Sequence, residues 1–381
     1  MPPQPPKKQM KAAILTEMGR SRPYANSKPL VVEEVHLDPP GPGELLIKIK
    51  ATGLCHSDLS VVNGDRPRPM PMVLGHEAAG EVVECGVGVT DLKPGDQVVL
   101  AFVPSCGNCL PCMEGRPGLC EPGARANGAG TLLSGARRLR FHDAPVYHHI
   151  GVSGYAEYAV VSRRSAIKVD SSLPAHEAAL FGCAVMTGVG AVVNTAKIPA
   201  GSKVAVVGLG GVGLSALLAV HLVGAGEIVA IDTNAQKLEV ASRLGATRTV
   251  KVGPDAVKEV RDLTSGGVDF ALEMASSVPA LRLAFDITKR GGTTVTASLP
   301  HPDHQFSFPA VLLAAEERIL KGSYVGSCVP ARDIPRYISL YQQGKLPVDK
   351  LLSEIISLGE LNEAFDRLAE GKSIRQVVTF H

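Results

Sequence analysis

The sequence predicts an α/β protein of two domains: a doubly wound parallel sheet in the second half of the chain, and an irregular β-rich domain built mainly from the first half. Three observations carry this. An apolar stretch from Lys203 to Val207 runs into a Gly-x-Gly-x-x-Gly turn and an apolar helix, and strand-like and helix-like stretches alternate after it. The opening third instead holds short apolar runs broken by Pro and Gly. With 381 residues, 45% of them hydrophobic, the chain is long enough to bury two cores.

Composition narrows the partners. A net charge of +2 gives no basic field, so neither nucleic acid nor a membrane surface is an expected partner. No apolar run reaches the roughly 18 residues of a spanning helix. Aromatic residues make up 4% and Trp is absent, so the cores must be aliphatic. Residues 1–9 lack an apolar run and are expected to be a disordered, polyproline-like lead-in rather than a signal peptide, consistent with a cytoplasmic protein. Eight cysteines in such a chain more readily bind metal or react than pair as disulfides.

Met10 to Leu15 reads as the first strand, followed by Leu30 to Val35 and Glu44 to Lys50, with a turn at Pro39 to Gly43. Gly53-Leu54-Cys55-His56-Ser57-Asp58 comes next. Cys55 offers a thiolate, Asp58 can accept a hydrogen bond from a ligand imidazole, and Ser57 can hold the proton of a metal-bound hydroxyl. The same residues also suit a buried small hydrophobe followed by a helix cap. Gly75-His76-Glu77 then sets an imidazole beside a carboxylate and leads into a strand ending near Cys85. A lone buried His is ordinarily structural. Joined by Cys55 and by Cys183 far downstream, His76 instead completes a three-ligand zinc set with an open fourth position. Lys93 to Leu100 is a turn and another strand.

The densest local signal is Cys106, Cys109, Cys112 and Cys120, four thiols on a loop full of Gly and Pro. Four cysteines without an open position make a closed tetrahedral zinc site, and residues 104–122 are read as that lobe. A chance cluster, two disulfides or an iron–sulfur cluster are the other readings. Gly123 to His149 is polar and basic and reads as a surface excursion, with Arg137, Arg138 and Arg140 on a solvated face. Gly154 to Val161 returns to strand. Phe181 to Ala191 is a helix of small residues with Cys183 at its start, where a merely structural Cys is the plainer alternative.

The turn Gly208-Leu209-Gly210-Gly211-Val212-Gly213 has the required context of strand before and helix after. Its glycines permit a tight turn and close backbone approach, and the helix N-terminus then faces a pyrophosphate. Asp232 ends the next strand, where its carboxylate can take the adenosine ribose hydroxyls and repel a 2′-phosphate. NAD is therefore favoured over NADP, and Lys237 lies one helical turn on. Strands at Val268 to Glu273, Thr293 to Ala297 and Gln376 to Phe380, with helices at Val278 to Thr288 and Leu361 to Glu370, complete the alternation.

In this order, Cys55, His76-Glu77, the four-cysteine lobe, Cys183 and Gly208 to Asp232 resemble the zinc-containing medium-chain alcohol dehydrogenases, over nearly the whole chain after its N-terminal tail. The resemblance implies a Rossmann domain over 185–324 and a GroES-like catalytic domain over 1–184 and 325–381. It implies a catalytic zinc on Cys55, His76 and Cys183 with Glu77 as an inner or transient ligand, a structural zinc on Cys106, Cys109, Cys112 and Cys120, and NAD. Ser57 would hydrogen-bond the alcohol oxygen and start a proton relay. His56 and Arg375 would contact the pyrophosphate, Thr187 and Val212 the nicotinamide, and Ser323 and Val325 would join the cofactor contacts. Phe102, Tyr155, Leu299 and Tyr324 would line the substrate channel.

The implied reaction is reversible hydride transfer between a primary, secondary or aromatic alcohol and NAD+, in a homodimer or, alternatively, a tetramer. Two departures matter. Ser60 stands where many members have a His to finish the proton relay. The glutathione-dependent formaldehyde branch has an Arg at the position of Ala124, with Arg125 next to it here. S-(hydroxymethyl)glutathione dehydrogenase is thus the rival enzyme reading; a zinc-ribbon interaction module and a non-catalytic homologue are the others.

Overall fold

The computed structural model describes residues 8–380, which form two compact units. The first holds the chain to Cys183 with Val329–Pro335 and the residues from Leu352 on; the second holds Ala184–Cys328 and Arg336–Leu351. Residues 336–351 therefore lie with the second unit, not with the first as the sequence suggested. The same holds for 325–328.

The first unit begins with β1 (Lys8–Leu15), β2 (Leu30–Leu37), β3 (Glu44–Gly53), β4 (Met72–Val73), β5 (Glu77–Cys85) and β6 (Gln97–Leu100). β7 (Leu139–Phe141), β8 (Ala144–His148), β9 (Tyr158–Ser162) and β10 (Ala166–Lys168) follow. A closed barrel runs β1-β2-β7-β8-β4. In the larger sheet β3 lies between β5 and β9, both antiparallel to it. Leu45, Ile47 and Ile49 of β3 alternate inward and pack with Val82, Val98 and Val161. Lys8 and Gln9 belong to β1, so the expected lead-in does not extend that far; its residues 1–7 lie outside the described residues.

The basic segment before His149 is not a surface excursion. It forms a helix, Glu121–Ala129, and two barrel strands, and it buries Leu132, Leu139, Val146, His148 and His149. Its arginines are held: Arg138 pairs with Glu44 at 2.9 Å and Arg140 with Asp38 at 3.0 Å, while Arg137 lies over the Tyr147 ring.

The second unit carries β11 (Lys203–Val207), β12 (Glu227–Asp232), β13 (Arg248–Lys251), β14 (Val268–Glu273), β15 (Thr288–Thr296) and β16 (Ile319–Gly322). All are parallel, in the order β13-β12-β11-β14-β15-β16. That is the dinucleotide-binding order, with its switch point between β11 and β14. Its core is aliphatic, as the composition requires: Val207, Val229, Ile231, Val250 and Ile287 are buried together.

The chain then returns to the first unit with β17 (Leu352–Ile356) and β18 (Arg375–Thr379); β18 pairs antiparallel with β3. Between them, the helix Leu361–Ala369 buries Leu361, Phe365 and Leu368 among Leu54, Val61 and Val62 of the chain around the helix His56–Val62. Each such side chain contributes about 1.5–3 kcal/mol on burial, enough to anchor the short helix that carries Ser57 and Asp58. Among the described residues no helix is long and apolar enough to cross a membrane.

Candidate active site

Three separate elements deliver the His/Cys/Cys set, all within the first unit. Cys55 caps the helix His56–Val62, and Cys183 ends the unit's first stretch. His76 immediately precedes β5. Gly75 makes that placement possible: its φ is +86°, and an added Cβ would meet the Tyr155 amide nitrogen at 2.6 Å.

The three donor atoms lie within 4.8 Å of one another. The sulfurs of Cys55 and Cys183 are 4.0 Å apart, and His76 Nε2 is 3.3 Å from Cys183 Sγ. With zinc–sulfur and zinc–nitrogen bonds of about 2.3 and 2.0–2.1 Å, tetrahedral vertices stand roughly 3.4–3.8 Å apart, so this set fits zinc. The two sulfurs titrate as a pair. The hydrogen bond from Cys183 holds Cys55 well below an ordinary thiol, and the same contact with burial pushes Cys183 up.

Asp58 organises the far side of His76. Its Oδ1 lies 3.1 Å from His76 Nδ1, accepts the Gly75 N–H at 3.1 Å and is 3.2 Å from His149 Nε2. Its Oδ2 accepts the Tyr155 hydroxyl at 3.2 Å. Burial opposes ionisation, yet His76 and His149 hold the Asp58 carboxyl far below its usual range. Burial likewise opposes charging of His76, but Asp58 and Cys55 raise it. His149 is pushed down by burial.

Tyr155 is fully buried with its ring edge-on to Phe365. Its hydroxyl supports Asp58. Phe102 is half-buried with its ring edge-on to His76 at 5.0 Å. Arg375 is 3% exposed, donates to the Leu54 carbonyl at 2.8 Å and lies 3.4 Å from Glu77. Glu77 is fully buried beside β3, where a Cβ on Gly53 would touch its Oε1. Ser57 is half-buried and His56 exposed, while Ser60 donates its hydroxyl to the His56 carbonyl at 2.8 Å.

The four-cysteine lobe brings Cys106, Cys109, Cys112 and Cys120 within the same 4.8 Å limit, and all eight cysteines are free. Backbone N–H groups of Asn108 and Cys109 point at Cys106 Sγ, and those of Cys106 and Gly123 at Cys120 Sγ. Donors aimed at sulfur favour thiolate, and they bring Cys106 down to about 6, whereas burial pushes Cys112 up to about 12. The donor set fits a closed zinc site.

In the second unit, Gly208, Gly210 and Gly211 turn the chain from β11 into the helix Gly211–Leu222. A Cβ on Gly213 would collide with the Gly208 carbonyl, so the turn can be this tight only with glycine there. Asp232 Oδ2 accepts the Leu209 N–H at 2.7 Å, which ties the end of β12 to the turn. Lys237 is half-buried on the following helix. Thr187 is buried in the helix Ala184–Gly190, Val212 half-buried, and Ser323 and Val325 buried, Val325 at φ +54°. Leu299 and Tyr324 are 47% and 40% exposed.

Sequence reading missed His149 and the support that Tyr155 gives Asp58. The β-prone pair Val146 and Tyr147 was the available signal for a strand there, and the structure buries Val146 and His148 on one side of it.

Comparison with known proteins agrees with this architecture. Residues 41–171 match the alcohol dehydrogenase GroES-like domain, and residues 211–343 match the zinc-binding dehydrogenase domain. An S-(hydroxymethyl)glutathione dehydrogenase of Escherichia coli O1:K1 is 37% identical over 362 residues, covering 94% of this chain and 98% of that protein. Benzyl alcohol dehydrogenase from Acinetobacter calcoaceticus superposes with a TM-score of 0.91 at 32% identity, covering 98% of this chain and all of that one. An alcohol dehydrogenase zinc-binding domain protein from Burkholderia ambifaria gives 0.92 at 32% identity, covering 99% and 100%. The chain belongs to the zinc-containing medium-chain alcohol dehydrogenases and is an oxidoreductase of that family.

Proposed function

We propose that the protein is an NAD-linked alcohol dehydrogenase with two zinc ions per chain, oxidising a primary, secondary or aromatic alcohol reversibly. The convergence of Cys55, His76 and Cys183, with Asp58 behind the imidazole, carries this reading. Those three residues would hold one zinc and the four-cysteine lobe the other. At the first site zinc supplies Lewis acidity, of the kind that lowers a bound water's pKa from about 15.7 to about 7.

The chain's own residues do the rest. Asp58 keeps the His76 proton on Nδ1, leaving Nε2 free as a donor atom. Glu77 stands beside the set as an inner or transient ligand, steadied by Arg375. Phe102 dries one side of His76. Ser57 orients the substrate hydroxyl and relays its proton, passing on its own as it accepts; Ser60, whose hydroxyl donates to the His56 carbonyl, is no base near neutral pH, so the relayed proton leaves to water. The N-terminus of the helix Gly211–Leu222 receives the pyrophosphate, and Asp232 with Lys237 the adenosine ribose. Ser323, Val325, Thr187 and Val212 would contact the nicotinamide half, and His56 would serve the phosphates. Leu299 and Tyr324 meet the substrate.

A cytoplasmic homodimer is the proposed assembly. Eight free cysteines suit a reducing compartment. β16 ends its sheet with all four residues exposed, Ile319 and Leu320 among them, and Val311 and Leu313 of the preceding helix are exposed as well. An apolar sheet edge of this kind is what a second copy would cover.

The test is an NAD-linked activity screen over alcohols and aldehydes combined with a metal count. Two zincs per chain and turnover of simple or aromatic alcohols support the reading; no turnover of any alcohol by zinc-replete protein refutes it. The E. coli relative favours S-(hydroxymethyl)glutathione as a second candidate. Ala124, exposed on the helix Glu121–Ala129, offers that substrate no charge, although Arg125 beside it is exposed too.

A further inference from the structure

We infer that His149 is a positioning residue for the metal ligand His76, acting through the Asp58 carboxylate that the two imidazoles share. The inference rests on the metal proposed at Cys55, His76 and Cys183.

Four groups converge on Asp58. Oδ1 faces His76 Nδ1 at 3.1 Å, the Gly75 N–H at 3.1 Å and His149 Nε2 at 3.2 Å, while Oδ2 faces the Tyr155 hydroxyl at 3.2 Å. The Gly75, His76 and Tyr155 groups hydrogen-bond the carboxylate, and His149 adds a fourth, electrostatic contact on Oδ1. Every member of the cluster is buried: Asp58 and His76 are 0% exposed and His149 is 2% exposed. No water competes for the carboxylate, and each donor fixes its orientation.

The tautomer of His149 follows from its surroundings. Neither ring nitrogen of His149 makes a hydrogen bond among the described residues, but Nε2 stands 3.2 Å from the Asp58 Oδ1 carboxylate oxygen. A lone pair on Nε2 would face the negative oxygen and be repelled, so the proton sits on Nε2 and the contact with Asp58 is an electrostatic one, not a formed hydrogen bond. The two imidazoles meet edge to face, with centroids 5.7 Å apart. Movement of either ring is passed to the other through contact as well as through Asp58.

A purely packing role would need only an aromatic ring at 149. A positioning role needs a donor at the distance of Nε2. Asp58, His76 and His149 also have donor atoms close enough to hold a cation of their own; a hydrogen bond accounts for the His76–Asp58 distance, and a metal count decides whether a cation sits at His149.

His149→Phe keeps the ring and removes the donor; His149→Gln removes the ring and restores an N–H at similar reach. Zinc-loaded wild type and both variants are challenged with a chelator, and their cobalt(II)-substituted forms are compared by visible absorption. Positioning predicts that one of the two metals leaves His149→Phe about tenfold faster, in line with the usual loss when a partner of a metal ligand is removed. It also predicts a displaced cobalt band, and near wild-type behaviour for His149→Gln. His149→Leu serves the same comparison should the Phe variant not fold.

An unchanged release rate and band in the donor-free variant overturn the inference while leaving the metal assignment intact. Metal bound only at the four-cysteine lobe of the wild type overturns both. A third zinc per chain, lost from both variants, would place a cation between Asp58 and His149 and also overturn the positioning role.

Discussion

Removing a single thiol should separate metal chemistry from cofactor binding. Cys183 belongs to the first unit and the glycine turn to the second. Cys183→Ala should lower the zinc count from two to one per chain and leave NADH affinity, read by fluorescence titration, nearly unchanged. Turnover should fall below about a thousandth, because a Lewis acid worth several kcal/mol of transition-state stabilisation is lost. Full activity in that variant would sink the zinc mechanism. Gly213→Ala is the complementary change. A methyl there meets the Gly208 carbonyl, so the turn must open. NADH binding should weaken by tenfold or more, on the order of 1.4 kcal/mol, while both metals stay. Unaltered NADH affinity would show that the turn does not carry the cofactor.

A strand can carry a pH dependence that has nothing to do with the reaction. His148 ends β8, accepts the Arg138 N–H on Nε2 at 3.0 Å and is pushed down to about 3, first by burial and then by Arg138 and Arg137. The unfolded imidazole, with a pKa of about 6.5, takes up a proton that the folded one refuses. The stability contribution is therefore complete above about pH 6.5 and is lost as the pH falls towards 3, at up to about 1.4 kcal/mol per pH unit. Thermal midpoints of metal-loaded protein should fall between pH 7 and 5. His148→Asn, which cannot titrate, should give a flatter profile even if its midpoint at pH 7 is lower. Parallel profiles for the two proteins would remove His148 from the account.

The unpaired edge of the parallel sheet bears on assembly. The chain mass is 39.9 kDa, so a dimer should sediment at twice that value. Ile319→Lys combined with Leu320→Lys places two charges on β16, whose side chains are already exposed. The double variant should sediment as a monomer with both zincs retained. A dimer that survives those charges would have its interface elsewhere.

Local pattern decided a great deal here. The strand–glycine turn–helix unit needs only residues adjacent in the chain, because the glycines and Asp232 act through backbone geometry. The four-cysteine lobe is confined to a single loop for the same reason. That these strands are parallel follows from their alternation with helices, whereas their order is decided by the tertiary structure. Tertiary structure alone could decide what surrounds Asp58. His149, Tyr155 and Gly75 reach that carboxylate from positions 17 to 97 residues away, with no shared periodicity to announce it. The same holds for Arg375, which β18 carries inward to Glu77. A buried charge must be compensated by whatever the fold brings near it, and a linear pattern does not record which groups those are. Polar residues such as His148 and His149 look like surface when counted along the chain, and become interior only when a barrel closes around them.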